Sequence, residues 1–263
     1  MSRRTTTDWD AETYDRLAAP QEEWGRQVLE RLPLEGGETV LDAGCGSGRV
    51  TRLLVERLPR GKVIGVDGSP SMIATAGQAF GDDDRVTLIT SDLLTLTPEV
   101  LEREAGIERV DAIFSNATFH WIADHDQLFG RLFALLRPGG RLVAQCGGKG
   151  NVAEWRRAVD AVRAREPFAA HLDGFEPWSF YDAGETRERL AAVGFTEISC
   201  ERIKVDPVDP DDPGQFVSVV GLAAHNERLP EELREPFAEA VIGALPEPLE
   251  LTYIRLNIDA RRA

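Results

Sequence analysis

Cysteine, lysine and long apolar runs are all scarce in this chain of 263 residues. The three cysteines, Cys45, Cys146 and Cys200, stand far apart, with no CxxC and no Cys/His spacing suited to zinc, so neither a metal site nor a disulfide framework is expected. Lysine occurs only at Lys62, Lys149 and Lys204, which leaves 27 of the 30 basic residues as arginine, a bias of composition rather than a site. Bases are themselves outnumbered, 30 against 45 acids, and the formal charge of −15 disfavours a nonspecific grip on nucleic acid or an anionic lipid surface. Nowhere do 18 apolar residues follow one another, and the opening MSRRTTTDWDAETYD has no apolar stretch after its two arginines. Neither a membrane span nor a secretory leader is therefore expected, and the reading is of a cytoplasmic protein.

What is present reads as a folded chain, 42% hydrophobic and 29% charged, long enough for one full core and a cap. From about residue 20 to 145, β-rich runs (Thr39–Leu41, Lys62–Val66, Arg85–Ile89, Val110–Phe114, Arg141–Gln145) alternate with helical stretches (Glu22–Leu32, Arg49–Leu58, Ser71–Phe80, Asp126–Leu136). Strands separated by helices predict an α/β fold with a parallel sheet covered on both faces, whose ligands bind beyond the carboxyl ends of the strands. After residue 150 the rhythm breaks. Helices are expected at Val152–Arg165, Thr186–Val193, Phe216–His225 and Pro230–Ala244, and strands at Thr196–Val205 and Leu251–Asp259. Residues 152–181 and 208–248 read as insertions forming a partly helical lid on a single domain, with 36–146 as the cofactor-binding core and 1–25 as an N-terminal arm.

The sharpest local signal is Asp42-Ala43-Gly44-Cys45-Gly46-Ser47-Gly48, a strand running into a glycine turn and then a helix. Such a turn lets a ligand approach bare backbone amides. The spacing G-x-G-x-G, preceded by an acid, departs from the G-x-G-x-x-G of dinucleotide turns. Asp42 would repel a diphosphate and favour a cationic ligand. Asp67 ends the second run, 23 residues after Gly44, placed to accept both ribose hydroxyls of a nucleoside, while Ser69 or Ser71 caps the next helix. Asp92 ends the third run, where an acid accepts from an adenine amino group and the Leu93 amide donates to the ring. Three acids after three successive strands are more specific than any one.

These residues resemble the class I S-adenosylmethionine-dependent methyltransferases. The resemblance implies a Rossmann-like, seven-stranded, mostly parallel sheet with the last strand antiparallel, and S-adenosyl-L-methionine as cofactor. It places Gly44, Cys45 and Gly46 beside the methionine part, Asp67 with Gly68 on the ribose, Ser91, Asp92 and Leu93 on the adenine, Met72 over the adenine face, and Ser115 and Asn116 at the fourth strand end. Asn116-Ala117-Thr118-Phe119 lacks the prolines of the [D/N]-P-P-[Y/F] motif of amino-group methylation, which with the charge argues against nucleic acid. FSNATFHWIADHDQLF and LLRPGGRLVAQ look instead like the trans-aconitate methyltransferase group, which esterifies small carboxylates, and Trp9 and Tyr14 match an arm that folds across the cofactor. A carboxylate acceptor needs no base, only desolvation and alignment by walls such as Trp9, Tyr14, Trp121, Trp178 and Tyr181. His120 departs from that group's pattern. It reads either as a base for a hydroxyl acceptor, in natural-product tailoring, or as a donor to a carboxylate. His125 reads as a surface or capping residue. His171 and His225 could line the substrate side, and Arg156, Arg157, Arg163 and Arg255 are candidate substrate anchors. A noncatalytic cofactor-binding regulator is the rival from a different class.

Overall fold

The computed structural model describes residues 19–208, 221–246 and 251–263. Trp9 and Tyr14, most of the expected arm and part of the second insertion lie outside them.

The elements in chain order are α1 (Ala19–Glu30), β1 (Thr39–Ala43), α2 (Arg49–Arg57), β2 (Lys62–Asp67), α3 (Pro70–Phe80), β3 (Val86–Thr90), α4 (Pro98–Ala105), β4 (Val110–Asn116), a 3-10 turn (Phe119–Trp121), α5 (His125–Leu135), β5 (Leu136–Gly147), α6 (Ala153–Arg163), α7 (Ala169–Leu172), α8 (Ala183–Val193), β6 (Phe195–Val208), α9 (Ala223–Asn226), α10 (Glu231–Ile242) and β7 (Leu251–Arg262). One seven-stranded sheet runs β3-β2-β1-β4-β5-β7-β6, and β7 pairs antiparallel with both β5 and β6. The sheet is therefore the expected Rossmann-like one. The chain winds outward from β1 to β3 and then returns to lay β4 on the other side of β1, with Val40 opposite Ala112 and Asp42 opposite Phe114. That reversal opens a crevice at the strand ends, where a ligand meets loops from both directions.

Strand alternation builds the two faces. Leu41, Ala43, Ile64 and Val66 enter one buried cluster with α5 and α8, while Val40, Val63, Ala112 and Phe114 join Val28 and Leu54 of the opposite helices, and Leu32 just past α1, in another. Helix starts are locally encoded. Ser69 accepts from the Met72 amide ahead of Pro70, Thr97 accepts from Val100 ahead of Pro98, and Asp182 forms a capping box with Glu185. A third cluster belongs to the segments after β5. Trp155, Val159 and Val162 of α6, Leu172, Leu222, Phe237 and Val241 pack with Trp24 of α1 and Tyr253 of β7.

Two local readings change. The helix expected to Leu136 ends at Leu135, and residues 136–140, ahead of the strand expected at Arg141–Gln145, already belong to β5, since Leu136 pairs with Val110 and the register shifts before Ala112 meets Arg141. Helix α4 is additional to the expected set. It is eight residues long and Leu101 is its buried residue, so its apolar stripe is too short for periodicity to register.

Candidate active site

The glycine turn fills the crevice between β1 and α2. Gly44 has φ of 85°, and a Cβ there would lie 2.1 Å from Thr118 Oγ1, so only glycine lets the loop after β4 close onto the turn. Its amide and that of Cys45 donate to the Val66 carbonyl at 2.8 and 3.1 Å, tying the turn to β2. Gly46, φ 54°, has open space where its Cβ would stand, the bare backbone a ligand could approach. The Cys45 thiol packs on Gly65 and is buried, which pushes its pKa well up and makes it a packing group.

Asp67 sits half-buried at the end of β2. Its two carboxylate oxygens each accept one amide at 2.9 Å, from Gly46 and from Ser69, and each keeps acceptor capacity for a hydroxyl. Burial raises its pKa, and the backbone amides of Ser69, Gly46 and Gly68 oppose the rise. The Ser91 amide donates to the Asp67 carbonyl at 2.9 Å, which ties the ends of β2 and β3 together. Asp92 holds the Leu94 amide at 2.9 Å, and Leu93, next to it, and Met72 of α3 are buried. An open backbone turn, an acid with spare lone pairs and apolar residues at the next strand end fit a nucleoside cofactor.

Two sequence-picked residues are engaged behind this surface. Asp42 is 2% exposed, accepts from Thr51 Oγ1 at 2.6 Å, and burial pushes its carboxyl up to about 7, so it braces α2 against β1. Ser115 is buried and donates its hydroxyl to the Ala43 carbonyl at 2.7 Å, joining β4 to β1.

Beyond β4 the chain is strained. Ala117 has φ of 56°, and its amide donates to the Gln145 carbonyl at 2.8 Å. This turn carries His120 inward, 8% exposed. The Gly147 amide donates to His120 Nδ1 at 3.3 Å, which assigns the proton to Nε2 and makes that atom a donor. Burial, with the nearby charge of Arg255, lowers the His120 pKa to about 3, so the ring is neutral. Phe180 stacks on it at 5.8 Å, Trp121 leans against it at 5.2 Å, and the Ser179 amide donates to its carbonyl at 2.7 Å. Gly147 has to be glycine, because a Cβ there would meet Phe180 at 2.5 Å. Sequence reasoning passed over Phe180, Gly147 and Thr118. The glycine run Gly147-Gly148-Lys149-Gly150 was the signal for the second of these.

The aromatic loop sorts differently from its reading in sequence. Trp178 faces Trp121 at 6.3 Å, whereas Tyr181 turns away, its ring 4.4 Å from His125 and its hydroxyl donating to the Ala123 carbonyl at 2.6 Å. His125 is buried, not on the surface, its Nε2 bonded to the Phe119 carbonyl at 2.9 Å. His225 is buried among Phe175, Trp178 and Phe237, and His171 is exposed. Arg156 and Arg163 pair with Glu176, and Arg157 with Glu154. Arg255 is buried on the sheet beside Gln145. Among the described residues no cluster of His, Cys, Asp or Glu could hold a metal, and no helix is long and apolar enough to cross a membrane.

Comparison with known proteins meets this geometry. Residues 41–142 match a methyltransferase-domain family. A trans-aconitate 2-methyltransferase of Methylobacterium radiotolerans is 31% identical over 97% of this chain and 99% of its own length, and one from an Azoarcus species is 39% identical over 85% and 84%. In fold, the chain superposes with a TM-score of 0.61 on Haemonchus contortus phosphoethanolamine N-methyltransferase 2 in complex with phosphomonomethylethanolamine and S-adenosylhomocysteine, at 19% identity over 96% of this chain and 56% of that one.

Proposed function

Because the chain belongs to the S-adenosylmethionine-dependent methyltransferases, with trans-aconitate 2-methyltransferases among its relatives, we propose that it esterifies a carboxylate of a small polycarboxylic acid such as trans-aconitate. The observation that carries this reading is the state of His120. A neutral ring with Nδ1 taken by Gly147 and the proton on Nε2 is a hydrogen-bond donor, suited to an anionic oxygen and unsuited to removing a proton from a hydroxyl. A carboxylate is already a nucleophile and needs no base.

S-adenosyl-L-methionine, when bound, supplies an electrophilic methyl group on a sulfonium. Toward it, Gly46 offers open backbone in the turn that Gly44 and Cys45 shape beside the methionine part, Asp67 with Gly68 accepts the ribose hydroxyls, Ser91, Asp92 and Leu93 receive the adenine, Met72 backs the base, and Asn116 borders the methionine end. Asp42 acts through the turn it braces. His120 Nε2 donates to the acceptor and holds it in line, while Trp121, Phe180 and Trp178 keep water from its carboxylate. Removing that water raises the nucleophile's reactivity, and alignment supplies the rest of the rate. Residues 152–181 and 208–248, with the N-terminal arm and its Trp9 and Tyr14, act as the cover that excludes solvent.

The test is incubation with methyl-labelled cofactor and a panel of mono-, di- and tricarboxylates, phenols and amines. Label should appear in a base-labile methyl ester of the tricarboxylate. Label in a phenol ether or a methylamine, or no transfer to any carboxylate, overturns the proposal.

A further inference from the structure

The glycine-rich run Gly147-Gly148-Lys149-Gly150-Asn151 lies directly behind His120. Strand β5 outruns β4. Their pairing ends with Asn116 opposite Gln145, and the chain after β4 turns off at Ala117, whose amide returns to the Gln145 carbonyl. Backbone groups along a strand point alternately to its two sides, so the Gly147 amide, two residues on, faces the same side as Gln145 and reaches past the last residue of β4. His120 Nδ1 supplies the acceptor that a longer β4 would have supplied.

The other edge of β5 ends on Asn151. Gly148 donates to the Ile254 carbonyl at 2.9 Å, and in a continuing antiparallel ladder the Ile254 amide would return to the Gly148 carbonyl. That carbonyl instead accepts from the Asn151 amide at 2.9 Å, closing a turn with Gly150 at φ of 91° in its third position, and Asn151 Oδ1 takes the Ile254 amide at 2.9 Å. One side chain, 4% exposed, thus replaces the missing rung and pins the strand end to β7. Its Nδ2 lies 2.8 Å from where a Gly147 Cβ would stand, so it packs on the residue that holds the imidazole. Within the same turn the Lys149 amide donates to the Tyr181 carbonyl at 3.0 Å, which anchors the aromatic loop next to Phe180, the ring stacked on His120.

We propose that Asn151 is a positioning residue for methyl transfer: by fixing the end of β5 it aims the Gly147 amide at His120 Nδ1, keeps the imidazole proton on Nε2, and so favours an anionic acceptor over a hydroxyl. Without that amide Nδ1 can carry the proton, and Nε2 becomes a lone pair that repels a carboxylate and accepts from a hydroxyl. The acceptor preference rests on the carboxylate reading above; the place of the proton does not.

The experiment is nitrogen-15 NMR on the full chain with labelled histidine, the His120 signals identified by their loss in His120→Gln, together with steady-state kinetics. Wild type should show one tautomer, with the proton on Nε2. Asn151→Ala should show both, and its kcat/KM for trans-aconitate should fall about fivefold, mainly through KM, as for loss of one hydrogen bond. Asn151→Asp, which keeps an oxygen for the Ile254 amide, should restore the single tautomer. If Asn151→Ala fails to fold, Asn151→Ser, whose hydroxyl is one bond shorter and falls short of Ile254, takes its place with the same expectation. A single Nε2–H tautomer in that variant, or a wild type protonated on Nδ1, overturns the proposal. If the tautomer shifts as expected and wild type esterifies no acid, the positioning of the proton stands and the carboxylate reading falls.

Discussion

At the scale of single residues, the site divides into groups that face a ligand and groups that hold those groups in place. Asp67 does both, because its carboxylate orients the Gly46 amide while keeping lone pairs outward. Asp67→Ala should weaken cofactor binding by about 1–3 kcal/mol, the worth of hydrogen bonds to a charged acceptor, and calorimetry with S-adenosylhomocysteine reads it directly. An unchanged affinity would show that the ribose lies elsewhere. His120→Gln separates a donor from a base. Glutamine retains an N–H, so ester formation should stay within about tenfold of wild type, whereas losing a general base typically removes about 100- to 10,000-fold. Gly44→Ala tests the turn. With φ of 85° and Thr118 Oγ1 2.1 Å from the new methyl, it should destabilise the fold by about 2 kcal/mol or more, read as a lower denaturant midpoint. The acids of this site were legible because each ends a β-rich run, a position sequence defines well. Their division of labour was not. Asp42 and Ser115 bond to Thr51 and Ala43 across the fold, contacts of tertiary origin that no local pattern carries.

At the scale of elements, the sheet and the longer helices after β5 were legible while the shortest helices were not, and packing explains why. Buried parallel strands such as Val63–Val66 and Ala112–Phe114 are continuous apolar runs, each followed by a polar residue at the ligand edge. The segments after β5 mix the long helices α6 and α10 with very short ones. Helices α7 and α9 have four residues each, too few to show a period, and their cluster draws Trp24 and Tyr253 from distant parts of the chain. His125, read as a surface or capping residue, is buried for the same cause, since an aromatic neighbour from another part of the chain covers it. If the cover selects the acceptor while the sheet holds the cofactor, the two can be loosened separately. Phe237→Ala, which empties the centre of the cover cluster, should cost about 3–5 kcal/mol locally. It should raise KM for the acceptor severalfold and leave the cofactor Kd within about threefold, as measured by steady-state kinetics beside calorimetry. Equal losses in both would show that cover and sheet act as one body.

At the scale of the whole molecule, the composition that is poor in bases turns the fold's buried imidazoles into its acid-sensitive points. His120, His125 and His225 are each buried, and burial lowers their pKa values to about 3, 4 and 3. In the unfolded chain a histidine titrates near about 6.5. Between those values the unfolded state binds protons that the folded state refuses, so the stability these residues carry is complete above about pH 6.5 and drains away as pH falls toward their folded values. Asp42 has the opposite sign. Its folded pKa near 7 lies above that of an unfolded aspartate, so it favours folding at low pH and its contribution is lost as pH rises through 7. Across pH 6.5 to 4.5 the three histidines are opposed by Asp42 and, with weaker upward shifts, by Asp67 and Asp259, and the histidines set the sign of the slope. Protonation of surface acids acts the other way, because it relieves the repulsion implied by a charge of −15, and that contribution is screened by salt. Denaturant midpoints measured from pH 7 to 4.5 in about 0.5 M salt should therefore fall, and His225→Gln should flatten that slope whatever it does to stability at pH 7. A midpoint that stays level on acidification in high salt would mean that the histidines can reach water when charged, and that the cover over His225 opens at little cost.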